Sequence, residues 1–470
     1  MTCTYFPSTG LIPNVTTHTV GNIIYFWTGV VWESQANIPV GELINDLSQA
    51  YIFETVADYK ASTIVFPVGK TIHLNDRGAE FLVIAGTGTA NTYNIIASTS
   101  VDQSIELDTG NQVSALKFGI SVTNKTAARL GLQLLNDQLT VSGGSILLDA
   151  KFTIDGGVKF SRNVSVVGAF SNTCGIICDY TTWVDLGLYS VSPNTGIFIE
   201  GGSDTDRGKG YGRTISDFFV QGINNSTILS TGIYMGTPDR RSIPNSSSSI
   251  GYSVRGGKFS DLNVSQFDVA LAVSEVWQST FTSIEVLACR ICFDVIGQSV
   301  NNTLTDSNLN PALNGSYTSS TDDSECLAFR NYTNYGPTEN KVGRPEGWMV
   351  TDTGMFSADI GIRITGILSL TISQCIIDLH GEHAIEATSA AGVVISHNYI
   401  ASKGGAAGDG ATIELKATGL ASDLDIAIVN NSLKRISVTG NEAMKAINCR
   451  QRAGVLIQGN SIGQYVAGQI

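Results

Sequence analysis

The sequence predicts an all-β chain: a parallel β-helix, or solenoid, preceded by a small N-terminal β unit and closed by one capping helix. Three observations lead there. Charged residues make up only 15% of the 470 and glycine contributes 50, while apolar residues hold at 42%. Low charge with enough apolar content for a large core suits a turn-rich β protein and excludes disorder. The stretch 143–169, GGSILLDAKFTIDGGVKFSRNVSVVGA, alternates apolar and polar residues in short bursts separated by Gly, Asn and Ser. Finally, SDLNVSQFDVALAV (260–273) aligns with TSIEVLACRICFDV (282–295) at an offset of 22 residues. Leu262 then meets Ile284, Val264 meets Val286, Phe267 meets Cys289, Ala270 meets Cys292 and Val273 meets Val295.

A repeat of roughly 20–30 residues made only of short strands is a solenoid signature. One turn cannot bury its apolar face alone. Stacked turns pair each strand in parallel with its equivalent and line inward side chains into ladders. Gly, Asn and Ser at the corners are what a three-sided coil requires.

The elements follow in order. Residues 1–48 form a short N-terminal attachment or linker segment, in which NIIYFWTGVVWES reads as a hairpin turning at Thr28-Gly29. The stretch 42–62 reads as a short helical connector. Residues 49–120 form a small β-rich unit, with SALKFG as its last strand. TNKTAARLGLQLLNDQ is the clear helix, near 124–137, capped by Thr123 or Asn124 and burying Ala127, Leu130, Leu134 and Leu135. The β-helix occupies 121–470, with echoes of the repeat at 214–222, 231–236, 370–379, 393–402, 435–444 and 454–463. The repeat breaks at 203–213, 236–257 and 306–358, where inserted loops are expected to wall a groove whose floor is 258–305.

Several function classes are excluded or set aside. A net charge of −13 removes a global basic field for nucleic acid. No apolar run is long enough for a membrane helix, and the first residues lack a signal-peptide pattern. The eight cysteines are scattered and read as small buried hydrophobes rather than a disulfide framework or a zinc site, with Cys289 and Cys375 at matching points of their rungs. The Asn-x-Ser/Thr sequons follow from turn composition. DLHGEH (378–383) with His397 resembles a metal-ligand cluster, but a polar corner between two strands explains it, so no metal and no cofactor is expected.

TNKTAARLGLQLLNDQ followed by SGGSILLDAKFTIDGGVKFSRNVSVVGA resembles the entrance of the pectate-lyase-like right-handed β-helices of bacteriophage tailspikes. FPVGKTIHLNDRGAEFLVIAG with SIELDTGNQVSALKFG resembles the small β unit that capsule-degrading tailspikes carry before that helix. The chain departs from the family where FGISVTNKTAA lacks the acidic residues usual before the cap. The resemblance implies a right-handed coil and a homotrimer. It also implies a virion tail location acting at the bacterial cell surface, attachment to the tail or another tail protein through the N-terminus, and cleavage of capsule, exopolysaccharide or O-antigen.

Hydrolysis of a glycosidic bond requires two carboxylates, one of them protonated. The floor offers Asp261, Asp268, Glu275, Glu285, Asp294 and Asp306. Glu275, Glu285 and Asp306 are the expected catalytic set, with Asp261 and Asp217 in reserve and Asp322, Asp323 and Glu325 next in line. Glu285 and Asp261 face outward by strand alternation, and Glu275 precedes Trp277 at a corner, where an apolar neighbour would raise its pKa. Trp277, Trp348 and Tyr252 are candidate sugar platforms. Arg240, Arg241 and Arg255, together with Arg207 and Arg213, would hold an anionic sugar bidentately. The alternatives are a lyase acting by β-elimination on a uronate, with the arginines and Lys258 neutralising its carboxylate, and a non-catalytic β-helix used for receptor binding or adhesion.

Overall fold

The computed structural model describes residues 17–20, 23–27, 30, 32–34, 51–86, 90–91, 93–107, 112–185, 194–201, 212–224, 229–236, 254–311, 323–330, 344–403, 410–416, 424–436, 444–449 and 454–465. From Gly144 onward the chain is a right-handed parallel β-helix with three sheets, the hand that parallel crossovers adopt almost without exception. The first two sheets share the strands Lys258–Ser265 and Thr280–Leu287, which run across the corner between them. The third sheet contains ten strands, from Val158–Phe160 to Lys445–Cys449. The alignment read from the sequence is the observed pairing: Leu262 opposite Ile284, Val264 opposite Val286 and Val273 opposite Val295.

The helix Lys125–Ser142 closes the first rung, at which Gln112–Ser114 pairs in parallel with Gly144–Leu148. The Asn124 side chain accepts a hydrogen bond from the Ala127 amide at 3.0 Å and caps it. Its buried face is Ala128, Leu132, Leu135 and Leu139, one step round from the expected stripe; Leu130 is 51% exposed. The helix crosses the coil end, so contact with the rung selects the face rather than the strongest apolar spacing. Before it lies a five-stranded sheet in the order Tyr51–Phe53, Thr71–Leu74, Ala79–Ala85, Gln103–Leu107, Ile95–Ala97. Among the described residues of the expected connector, Tyr51–Phe53 is a strand and Val56–Ala61 is helical, held by a capping box at Thr55 and Asp58; 42–50 lie outside the described residues. SALKFG does not form a strand: Ala115–Phe118 is a helical turn ending at the left-handed Gly119. Near the N-terminus Ile23–Trp27 and Trp32–Ser34 pair antiparallel with Trp27 opposite Trp32, as a hairpin requires; Thr28 and Gly29 lie outside the described residues.

The corner between the first and second sheets shows what stacking demands. Asp217, Asp261, Ser283, Asp306, Asp352, Gln374, His397 and Asn430 occupy one column, each with φ between 49° and 64°. The left-handed conformation is least costly for Asn and Asp among residues with a side chain. The next residue turns inward. In the last rungs these are Asn398, Asn431 and Asn460, and their amides form a ladder. Asn398 Oδ1 accepts from the Cys375 amide at 2.9 Å, Asn431 Oδ1 from the Asn398 amide at 3.0 Å and Asn460 Oδ1 from the Asn431 amide at 2.9 Å. Cys375 belongs to this inward column and Cys289 to the corner between the second and third sheets, so the two are not equivalent. Both are buried thiols.

The interval 306–358 is not one insertion. It supplies the rung strands Asn308–Asn310, Glu325–Arg330, Glu346–Thr351 and Gly354–Phe356, separated by 312–322 and 331–343. Trp348, expected as a sugar platform, is a core residue. It is 1% exposed, donates to the Ser299 carbonyl at 3.0 Å and stacks on Phe281 with centroids 6.0 Å apart.

Two outcomes follow from this interior. Asn431→Ala removes donors to the Ile395 carbonyl and Asn460 and the acceptor of two bonds from Asn398. Leaving such buried groups unsatisfied costs roughly 1–3 kcal/mol, so the denaturant midpoint should fall by that energy divided by the m-value of unfolding. His380 is wholly buried and donates to the Met355 carbonyl at 3.1 Å; burial lowers its pKa from 6.5 to about 4. Below pH 6.5 the unfolded chain takes a proton that the folded chain refuses until about pH 4. The ring therefore withdraws up to ~3 kcal/mol of stability across that window. His380→Gln should flatten the loss of stability between pH 6.5 and 4, measured as the denaturation midpoint at each pH.

Candidate active site

The outer side chains of the third sheet form a column: Phe198, Tyr234, Ala272, Asp294, Ala328, Arg363, Glu386, Glu414 and Asn448. Their neighbours Ile197, Ile233, Leu271, Phe293, Leu327 and Ile362 point into the coil. Toward the N-terminal rungs the outer face is apolar. Phe198, Tyr234, Val269, Ala272 and Ile291 make a buried cluster separate from the main core.

Beyond it the same face turns into an ion ladder. Arg290 grips Asp268 through Nε at 2.8 Å and Nη2 at 3.1 Å. Arg330 Nε donates to Asp294 at 2.8 Å, and its Nη2 meets Glu325. Arg363 lies 2.5 Å from Glu325 and 3.2 Å from Glu386, and it also meets Asp323. Lys416 reaches Glu386 at 3.0 Å, and Asn448 donates to both oxygens of Glu414 at 2.8 and 2.9 Å. The Glu325 and Glu386 side chains are each 5% exposed. Burial pushes Asp294 above the usual carboxylate range against the pull of Arg330 and Arg290. Burial likewise raises Glu325, opposed by Arg330 and Arg363 and helped by Asp294. Each carboxylate is thus held between desolvation, which favours its proton, and an arginine, which favours its charge.

Four of the longest sequence intervals between consecutive described strands of the coil, from Glu200 to Thr214, Gly236 to Val254, Asn310 to Glu325 and Arg330 to Glu346, each have a third-sheet strand at one end.

The expected residues divide. Glu275 follows the third-sheet strand Val269–Ser274 with φ 61° and is 2% exposed; its carboxylate accepts from the Gln298 amide at 3.3 Å. Beside it Trp277 is half-buried, donates to the Gln298 carbonyl at 3.0 Å and lies under the Arg255 guanidinium, 4.4 Å from its ring centroid. Glu285, exposed, accepts from Asn263 at 3.0 Å on the second sheet. Asp217, Asp261 and Asp306 stand in the left-handed corner column, away from the third sheet. The structure therefore brings Glu275, Trp277 and Arg255 together and leaves Glu285, Asp306, Asp261 and Asp217 on a different part of the surface. Arg213 is buried and, among the described residues, its guanidinium has no hydrogen-bond partner; burial lowers its pKa to about 10. It is not placed to meet an outside ligand. Arg207, Arg240, Arg241, Tyr252 and Asp322 lie outside the described residues. His380 and His383 donate to separate carbonyls, of Met355 and Ala411.

Asp268, Asp294, Asp323 and Glu325 stood among the sequence candidates, but their partners Arg290, Arg330, Arg363, Glu386 and Lys416 did not. The signal was there: FDVI, GIRI, AIEA and TIEL each carry one charge inside an apolar run.

No protein-family model matches the chain, and no curated protein matches it in sequence. Solved structures do match in fold. Full-length tailspike protein 2 of the Escherichia coli O157:H7 bacteriophage CAB120 is 14% identical with a TM-score of 0.51, covering 97% of this chain and 58% of its own. The tailspike of Acinetobacter baumannii phage AM24 is 12% identical with a TM-score of 0.56, covering 93% and 68%. DFA-IIIase of Arthrobacter chlorophenolicus A6, solved with DFA-III, is 10% identical with a TM-score of 0.52, covering 75% and 84%. The chain thus spans 58% of the length of that full-length tailspike.

Proposed function

We propose that this chain is a bacteriophage tailspike that binds and depolymerises a bacterial surface polysaccharide (capsule, exopolysaccharide or O-antigen) by glycoside hydrolysis on the outer face of its third sheet. One observation carries the reading: buried carboxylates paired to arginines run up consecutive rungs of one face of the coil. The pairs Asp294–Arg330 and Glu325–Arg363 give that face carboxylates held between burial, which favours the proton, and a guanidinium, which favours the charge, the kind of opposed environment that acid-assisted hydrolysis uses. The fold shared with phage tailspikes supports the setting, a virion tail acting at the cell surface, with the N-terminal segment toward the tail. A lyase needs a cation free to neutralise a uronate; Arg290, Arg330 and Arg363 are already committed to carboxylates, which favours hydrolysis. Glu275, with Trp277 and Arg255, stands at the edge of the same face.

The active form is a homotrimer in this reading. On the first sheet the outward column beyond Lys258, namely Thr280, Thr303, Met349, Thr371, Val394, Ala427 and Leu456, carries no charge. Met349, Val394 and Leu456 are 45%, 37% and 53% exposed. An uncharged, partly apolar face of this length suits burial against copies of the same chain.

Two measurements test these statements. Incubation with purified surface polysaccharide should shorten the chains and release reducing ends without the near-ultraviolet absorbance of an unsaturated product; no size reduction would leave only adhesion. In the same assay Glu275→Gln should lower cleavage by tenfold or more, while Glu285→Gln and Asp306→Asn remain close to wild type; the reverse pattern would move the chemistry to the other corner. Light scattering at micromolar concentration should return three times the chain mass, and a charge placed at Val394 should lower it.

A further inference from the structure

The ladder reaches solvent at the corner that leads into the third sheet. Ser324, Asp359 and Glu382 occupy equivalent positions there on three consecutive rungs, each one residue before a strand. The Ser324 amide and hydroxyl both donate to Asp359 Oδ2 at 2.8 Å, and the Glu382 amide donates to the Asp359 carbonyl at 2.8 Å. Asp323 and Glu382 therefore stand two strand spacings apart, about 10 Å between their backbones. Between them a Cβ at Gly381 would come within 3.1 Å of Asp359 Oδ1, so the glycine leaves room over that oxygen. These groups are open to a polymer, as the buried Asp294 and Glu325 are not. Glu382 is exposed, the Asp323 side chain is 40% exposed and that of Lys416 is 48% exposed.

The partners of the two accessible carboxylates differ. Asp323 meets the Arg363 guanidinium, which is itself fixed by the buried Glu325 and Glu386 at 2.5 and 3.2 Å. The Glu382 carboxylate has no hydrogen bond or ion pair among the described residues. Partial burial and the facing acids Asp323, Asp359 and Glu386 hold it above the usual carboxylate range, against His383. A guanidinium in contact favours a carboxylate's charge, and surrounding acids favour its proton. Arg363 and Lys416 already supply positive charge here, which disfavours a metal ion among the same acids.

We propose that Glu382 is the proton donor to the glycosidic oxygen and Asp323 the base that takes a proton from the attacking water, with Arg363 as the positioning residue that orients Asp323. This rests on the reading of the third-sheet face as a hydrolytic site and places cleavage where its carboxylates reach solvent. In the step, the Glu382 proton moves to the glycosidic oxygen as the bond from that oxygen to the ring carbon breaks, releasing an alcohol. Water adds its oxygen to that carbon and gives a proton to Asp323; solvent then carries a proton from Asp323 back to Glu382. The two-rung interval leaves room for that water beside the sugar. Glu275, at the opposite edge of the face, meets the polymer away from the bond that breaks.

The test uses the full chain and polysaccharides purified from encapsulated Escherichia coli and Acinetobacter baumannii strains, hosts of the phages whose tailspikes match in fold. Wild type should lose kcat/KM on an alkaline limb as Glu382 ionises. Glu382→Gln should keep the wild-type melting transition, since its side chain holds nothing in place, yet lose 10²-fold or more in kcat and show no alkaline limb in its residual rate. Asp323→Asn should lose a comparable factor, keep the limb and recover turnover on addition of azide, a nucleophile that needs no base. Arg363→Lys should lower kcat with KM little changed and recover with azide as well, which a purely structural arginine would not. If Arg363→Lys does not fold, Asp323→Asn alone decides the base: wild-type turnover, or a loss that azide does not restore, overturns that role. An active wild type whose Glu382→Gln variant keeps both its rate and its limb overturns the assignment of the acid and leaves the hydrolytic reading standing. A wild type that shortens no polysaccharide overturns that reading and the assignment with it.

Discussion

In-register parallel stacking is the constraint on which everything else in this molecule depends. Each strand satisfies its backbone groups with the rungs above and below, about 4.8 Å away. A residue is therefore bound to its equivalents in neighbouring rungs more tightly than to its sequence neighbours. A one-residue slip would turn every inward side chain out. Phe259 and Phe281 stack in the interior because register brings them there, 4.7 Å apart and 11° from parallel, with Leu304 and Val350 continuing the column and Trp348 packing on Phe281 from the next one. The same rule turns single polar residues into ladders. One buried Asn amide would leave unpaired groups, whereas Asn398, Asn431 and Asn460 satisfy one another and the carbonyls between them.

The rule also governs charge. On the third sheet, like charges in adjacent rungs would face each other at strand spacing, so the acids there require cations from neighbouring rungs. Arg290 answers Asp268, Arg330 answers Asp294, and Arg363 stands among Asp323, Glu325 and Glu386. A buried ion pair is costly to assemble and more costly to break from one side. An apolar continuation of the Phe198–Tyr234 cluster would have covered the same area without that cost. The ladder is expensive for stability alone, which is the physical reason to look for its purpose in a reaction.

The coil was legible in the sequence because repetition writes the same restraint many times. The offset between 260–273 and 282–295 needed no knowledge of the other rungs. The helix was legible through its cap at Asn124, but its buried stripe was not, because Ala128, Leu132, Leu135 and Leu139 are selected by the rung beneath them. Trp348 was misread for the same reason: its burial is fixed by Phe281 and Phe329, which are distant in sequence. The ladder stayed hidden because its pairs join different rungs. Arg330 is 36 residues from Asp294, and Arg363 is 40 from Asp323.

The acids outside the ladder show why residue type alone misleads on such a scaffold. Asp217, Asp261 and Asp306 resemble a catalytic row, exposed or half-exposed and spaced by whole rungs. Their backbone explains them without chemistry: each holds a left-handed φ, at 64°, 53° and 49°, that Asp tolerates better than most residues. Asn430 and Gly459 replace Asp in the same column, as a conformational requirement would predict and a catalytic one would not. No such account covers Asp294, which lies in an extended strand, in a column that runs from Phe198, Tyr234 and Ala272 through Asp294 and Ala328 to Arg363, Glu386, Glu414 and Asn448. Its backbone does not require an acid and its burial penalises one. What answers that burial is the Arg330 guanidinium, 2.8 Å from the carboxylate and brought there from a strand 36 residues on by the register of the rungs.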